Sequence, residues 1–214
     1  MIGENLLRYN KDQEYLFFDG ETTSLNLNNT VPWQWAWIIV RNGEILSTHD
    51  NYVWWDDLKV GAGAAAVTGF DYEFYKSRAR PQKEVLEEFN SVLYNERYIP
   101  IGHNILRFDS MVHATWCRIN GLKPDFSWQF QAIDTNCIAK AKKLDIKPDM
   151  TSPQDFLAWQ IRMGGIIKKG LKTNLVQMGK DYKIDFDYAG AHNGVNDIKL
   201  NSLVWDKLKW DVEV

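Results

Sequence analysis

The strongest constraint on the fold lies between residues 14 and 55. "EYLFFDG" is an apolar run that ends in acids, and "WQWAWIIV" (Trp33 to Val40) alternates large apolar side chains. "ILSTHDNYVWW" follows after Arg41, Asn42, Gly43 and Glu44. Short runs rich in aromatic and β-branched residues read as strands. An Asn-Gly pair between two of them supplies the two left-handed residues of a tight hairpin. The second and third runs should therefore return on each other antiparallel. "NLNNTVP" between the first two runs is a turn-rich connection. The expectation is an antiparallel meander at this end of the chain.

The end of the first run raises a chemical question. In "FFDGETTSL" the acids Asp19 and Glu21 stand one residue apart. Residues two apart on a strand point to the same face. Two carboxylates held side by side repel and raise each other's pKa, unless a cation lies between them.

Downstream, helical and strand patterns alternate. "GAGAAAVTGF" (Gly61 to Phe70) has no phosphate-binding glycine pattern, because Ala66 stands at the last required position, and reads as a short helix or loop. "PQKEVLEEFNSVLYN" opens on Pro81 and spaces Val85, Leu86, Phe89, Val92 and Leu93 as a helix does. "RYIPIGHN" reads as a short strand, "DSMVHATWCRING" as a helix closed by Gly121, and "FQAIDTNCIAKAKKL" as a strand end running into a helix. Residues 148–170 are expected to be irregular, broken by Pro148, Pro153, Gly164, Gly165 and Gly170. "TNLVQMGKDYKI" suggests a further helix, and the last helix is expected from about Gly194 to Trp210.

Composition bounds the rest. Of 214 residues, 45% are hydrophobic and 14% aromatic, enough for a sizeable core. With 25 basic and 28 acidic residues the net charge is −3, which argues against coating nucleic acid through bulk charge. A local basic rim can still steer a strand, and Arg162 to Lys172 is the candidate. The cysteines are Cys117 and Cys137, with no CxxC pair, so neither a zinc ribbon nor a redox motif is supported. Free thiols fit a reducing compartment. "MIGENLLRYNKDQEY" is too polar for a signal peptide, and no apolar run reaches the length of a membrane span. The expectation is a soluble cytoplasmic protein with no membrane partner, a single domain over residues 1–214.

Further polar residues stand where chemistry can use them. Asp109 opens a helix after His103-Asn104, Asp134 sits at a strand-to-helix junction, and His192 precedes the last helix, which carries Asp197. Singly, each has an ordinary explanation: Asp109 and Asp134 as helix caps, Asp197 as an exposed helix acid, His192 as a surface histidine. Together they form an ordered set. Asp-x-Glu on the first strand, then His-Asn-x-x-x-Phe-Asp, then His-x-x-x-x-Asp at the last helix resembles the DEDDh 3′–5′ exonuclease family, which includes polymerase proofreading exonucleases and several small RNases. The motifs span Phe17 to Asp197.

The resemblance implies an α/β, ribonuclease H-like fold: a mixed five-stranded sheet, antiparallel meander plus parallel strands, flanked by helices. It implies that Asp19, Glu21, Asp109 and Asp197 hold two divalent cations, Mg²⁺ or Mn²⁺, and that His192 is the general base. Such ions about 4 Å apart clamp an in-line displacement at phosphorus. Asp19, at the strand end, is the candidate to bridge both. Glu21 and Asp197 complete the site of the ion carrying the nucleophile, and Asp109 binds through water. By the same resemblance Thr22, Thr23 and Leu25 meet the 3′-terminal nucleotide, with Leu25 wedged against the last base, and Asn104 lies near the substrate backbone. A turn role for Asn104 is an equal alternative. Asp134, His103 and His113 are assigned to structure.

The implied reaction is removal of nucleoside 5′-monophosphates from a free 3′ end, with single-stranded DNA as first choice of substrate and RNA as second. Two other readings stay open: a binding subunit docked on a polymerase or other replication partner, signalled by an apolar patch near Trp205 and Trp210, and endonucleolytic cleavage by the same metal site.

Overall fold

The computed structural model describes residues 7–188 and 193–214. The three N-terminal runs form β1 (Glu14–Thr22), β2 (Pro32–Arg41) and β3 (Glu44–Trp54), each antiparallel to the next. Asn42 at φ 50° and Gly43 at φ 80° make the turn between β2 and β3, the left-handed pair that a two-residue hairpin needs. The short helices α1 (Ala62–Thr68) and α2 (Tyr72–Arg78) follow. Next come β4 (Arg80–Pro81), α3 (Gln82–Leu93), β5 (Tyr98–Gly102) and α4 (Asp109–Ile119). The chain then forms β6 (Ile133–Asp134), α5 (Thr135–Leu144), α6 (Pro153–Gly165), α7 (Leu175–Asp181) and α8 (Gly194–Asp211).

The sheet order is β4-β3-β2-β1-β5-β6, with β5 parallel to both β1 and β6. This is the expected mixed sheet with one strand more than the five anticipated. The addition is the two-residue β4, parallel to the edge of β3. Arg80 holds it there, its guanidinium donating to Asn51 Oδ1 at 2.8 Å and to Glu88 Oε2 at 2.9 Å.

Strand periodicity divides β1 between two cores. Its odd positions Tyr15 and Phe17 join Ala36, Ile38 and Val40 of β2 against Ile198, Val204 and Trp205 of α8 and residues of α5 and α6. Its even positions Leu16 and Phe18 join Trp35 and Trp37 against Val85, Leu86 and Phe89 of α3 and Val112 and Trp116 of α4. Burying both layers, with side chains as large as Trp35, Trp37 and Trp116 fully enclosed, supplies the main stabilisation.

One expectation is corrected. Residues 148–170 are not irregular throughout, because α6 occupies Pro153–Gly165. Pro153 begins this helix rather than breaking it: its missing N–H is one that a first turn leaves unpaired anyway. The Ser152 hydroxyl accepts from Asp155 N, and Phe156, Trp159 and Met163 pack inward. Gly164 and Gly165 simply end it.

The two C-terminal tryptophans part company. Trp205 is buried in the core, whereas Trp210 is 53% exposed and meets Tyr9 edge-on. No helix among the described residues is long and apolar enough to cross a membrane.

Candidate active site

Asp19 and Glu21 continue the odd face of β1, the face covered by α8. There the Asn193 side chain accepts from Val195 N and starts the helix, and Asp197 lies in its first turn. Gly194 suits the close approach of α8 to β2, since a Cβ there would sit 3.3 Å from Ala36 Cβ and 3.5 Å from Gln34 Oε1. The outcome is a cluster: Asp19, Glu21 and Asp197 each offer a carboxylate oxygen, all within 4.8 Å of one another.

Asp109 arrives from the other layer. It is the first residue of α4, and its Oδ1 accepts the backbone N–H of Gly20 at 3.2 Å. Position 20 must be glycine for this. A Cβ there would lie 2.3 Å from the Trp35 ring and 3.4 Å from Asp109 Oδ1.

The electrostatics follow from this crowding. Loss of water and then the charges of Asp109, Glu21 and Asp197 push the Asp19 carboxyl well above the usual carboxylate range. Burial, with Asp197 and Asp109 beside it, pushes Glu21 up to about 8. Burial raises Asp109 to about 7 against the pull of its own and Gly20's backbone N–H groups. A cluster that resists ionisation on its own becomes favourable when a hard cation shares it. The cluster holds oxygen donors only, the ligand type that Mg²⁺ and Mn²⁺ prefer.

The remaining sequence-predicted residues fall in different places. His192 lies outside the described residues. Thr22 and Thr23 are buried, and their hydroxyls serve the loop itself: Thr22 Oγ1 donates to Ser24 O at 3.0 Å, and Thr23 Oγ1 accepts from Val31 N at 3.2 Å. Leu25 projects from this loop, 86% exposed. Asn104 adopts φ 72° and gives its N–H to Asp134 Oδ1 at 2.9 Å, which is the turn role.

Two supporting residues were legible only in part. Asp134 was expected to be a cap and is one, accepting from Asn136 N at 3.0 Å and Cys137 N at 3.4 Å. It also accepts from Asn104 N and from Leu106 N at 3.2 Å, and so clamps the loop that delivers Asp109. Asn201, one turn after Asp197, went unnoticed. Its Oδ1 accepts the Thr135 hydroxyl at 2.8 Å, and the same hydroxyl lies 3.1 Å from Gly102 O and 3.0 Å from His103 Nδ1. This buried chain binds α8 to the ends of β5 and β6. Its only sequence signal was a polar residue on the apolar face of the last helix. His103, driven down to about 4 chiefly by burial, stays neutral within it.

An antiparallel meander continued by parallel strands and flanked by helices is a ribonuclease H-like fold. Solved structures with this fold include an E. coli exonuclease I–ssDNA complex in its zinc ion bound form, with a TM-score of 0.73 and 19% identity. That match covers 92% of this chain and 41% of the other. E. coli exonuclease I with a dA16 oligonucleotide superposes with a TM-score of 0.71 at 18% identity, over 92% of this chain and 41% of the other. An exonuclease I/SSB-Ct complex does so with a TM-score of 0.71 at 18% identity, over 94% and 42%. The chain thus spans about two fifths of the length of these proteins. No family model and no curated protein matches it.

Proposed function

We propose that this chain is a metal-dependent 3′–5′ exonuclease, a single exonuclease domain over residues 1–214 that releases nucleoside 5′-monophosphates from single-stranded DNA. The observation that carries the reading is the convergence of three carboxylates within 4.8 Å, with Asp109 delivered to their neighbour Gly20. The solved neighbours that hold single-stranded DNA favour DNA over RNA. The neighbour bound to SSB-Ct favours a replication partner. Two buried free cysteines suit a reducing, cytoplasmic setting.

Asp19, Glu21, Asp109 and Asp197 hold two Mg²⁺ or Mn²⁺ ions in this reading. When bound, these supply an activated water and neutralise charge developing on the phosphate and the leaving oxygen. His192 takes the proton of the attacking water, a role that suits histidine because an unperturbed imidazole titrates near 6.5. Leu25 wedges against the terminal base. The Thr22–Thr23 segment, stiffened by its internal hydrogen bonds, presents its backbone to the terminal sugar, and the turn at Asn104 borders the strand.

The test is a time course on 5′-labelled DNA and RNA oligonucleotides with Mg²⁺ or Mn²⁺. A ladder that shortens from the 3′ end, mononucleotide products, slowing by a blocked 3′-OH and resistance of circular DNA are expected. Asp19→Asn should abolish the activity while preserving the fold. Cutting of the circle points instead to an endonuclease, and full activity in Asp19→Asn contradicts the metal-holding role.

A further inference from the structure

Between Phe156 and Lys180 the chain carries five basic residues and no acid, in a protein whose net charge is −3. Part of this stretch, residues 166–174, runs back along α5 and is fastened to it at three places. Lys140 Nζ donates to Gly164 O at 2.8 Å and to Ile166 O at 3.1 Å. Lys143 Nζ donates to Lys172 O. The Thr173 hydroxyl donates to Asn136 Oδ1 at 2.7 Å. The loop is therefore a built edge with a defined shape.

Its anchors occupy the lysines of α5 and leave the loop's own free. Lys143 also pairs with Asp181 at 2.5 Å. Lys168, Lys169 and Lys172 are exposed, and no ion pair among the described residues includes them. With Lys143, Leu144 and Gln177 they line an open hollow of about 620 Å³. Ile167, beside them, is 95% exposed. Unpaired like charges this close raise the local potential and call for an anionic partner.

The position of the hollow selects that partner. Asn136, where the loop ends, is two residues beyond Asp134, whose carboxylate clamps the turn leading to Asp109. Lys143 lies further along α5, about 10 Å away at 1.5 Å per residue. The Asp134 clamp and the hollow thus lie at successive levels along α5, a remove from the acid cluster that a chain of phosphates spans and one isolated anion does not.

We propose that this hollow is a phosphodiester-binding site, in which Lys168, Lys169 and Lys172 hold the backbone of a single-stranded DNA upstream of the end presented to Asp19, Glu21 and Asp197. The role as a feed for the cleavage site rests on the nuclease reading above; the binding itself does not. Short substrates end before reaching the lysines, and long ones pass over them.

The experiment compares the full chain with K168Q/K169Q/K172Q, and with a control lacking exposed lysines elsewhere, K11Q/K83Q/K123Q. Fluorescence anisotropy with a labelled oligothymidylate in EDTA reads binding without chemistry. The slope of log affinity against log salt should fall by about 2 in the first variant, at roughly 0.7 per lost contact to a single strand, and hardly change in the control. Hydrolysis of the long oligothymidylate should show a raised KM and unchanged kcat, with a trithymidylate unaffected. Equal slopes in both variants, or a wild type that does not bind the oligothymidylate, overturn the proposal. A slope that falls as expected in K168Q/K169Q/K172Q, with no hydrolysis by the wild type, leaves this site standing and removes the nuclease reading instead.

Discussion

The backbone N–H of Gly20 donates to Asp109 Oδ1 at 3.2 Å, tying a helix on one face of the sheet to a strand whose acids face the other. Through this contact a residue from the α3–α4 layer is brought beside the cluster built on the α8 side, close enough for its charge to raise Asp19 and Glu21. Because a Cβ at position 20 would lie 2.3 Å from the Trp35 ring, Gly20→Ala forces a fully buried indole to move. The expected cost is about 1–3 kcal/mol in denaturant unfolding, with weaker Mn²⁺ binding by calorimetry as Asp109 is displaced. Wild-type stability and Mn²⁺ affinity in this variant would falsify the packing account.

Charge crowding makes metal-free stability depend on pH. Glu21 titrates near 8 in the folded chain, above its ordinary value of 4.5. A group with a raised folded pKa binds its proton more tightly when folded. Its contribution is complete below the ordinary value and is lost as pH rises through the folded one. In EDTA, Tm should therefore decline between about pH 4.5 and pH 8, and Glu21→Gln should flatten the decline. Mg²⁺ or Mn²⁺ should raise Tm more at pH 8 than at pH 5. The same metal-induced shift at both ends of the range contradicts a cluster held apart by its own charges.

If His192 takes the attacking water's proton as proposed, His192→Ala should lower kcat by about 10²- to 10⁴-fold and leave the metal-induced Tm shift intact. The acidic limb of the pH–rate profile, expected near the ordinary histidine pKa of about 6.5, should vanish with it. A limb that persists assigns the titration to another group.

Asn201 positions rather than reacts. Asn201→Leu removes the 2.8 Å bond between the buried Thr135 hydroxyl and α8, leaving that hydroxyl to Gly102 O at 3.1 Å, at a cost of about 0.5–1.5 kcal/mol, and frees the turn of α8 that carries Asp197. The expected kinetic signature is a lower kcat with KM for DNA little changed. Thr135→Ser, which keeps the hydroxyl, should behave as wild type, whereas Thr135→Val should resemble Asn201→Leu. If Thr135→Val loses stability alone and keeps kcat, the chain of hydrogen bonds is merely structural.

Local rules made much of the fold legible. The Asn42–Gly43 hairpin, the meander and the last helix follow from turn chemistry and periodicity, each settled within a few residues. The irregular reading of residues 148–170 went wrong where two local signals compete: a proline that breaks a helix interior also begins a helix when a serine cap precedes it. The extra strand β4 was invisible because two residues carry no period. Its pairing depends on Arg80 reaching Asn51, far away in sequence.

By itself, the sequence determined that Asp19 and Glu21 share one face, since the two-residue alternation of a strand leaves no other choice. It also placed Asp197 in the first turn of a helix. Only the tertiary structure decided that α8 covers that same face, that Gly20 admits Asp109 from the opposite layer, and that Asp134 and Asn201 fasten the segments bearing these acids. The reason is physical: which side chains meet across layers depends on long-range packing and on close approaches that only a missing Cβ permits, and no window of neighbouring residues contains either.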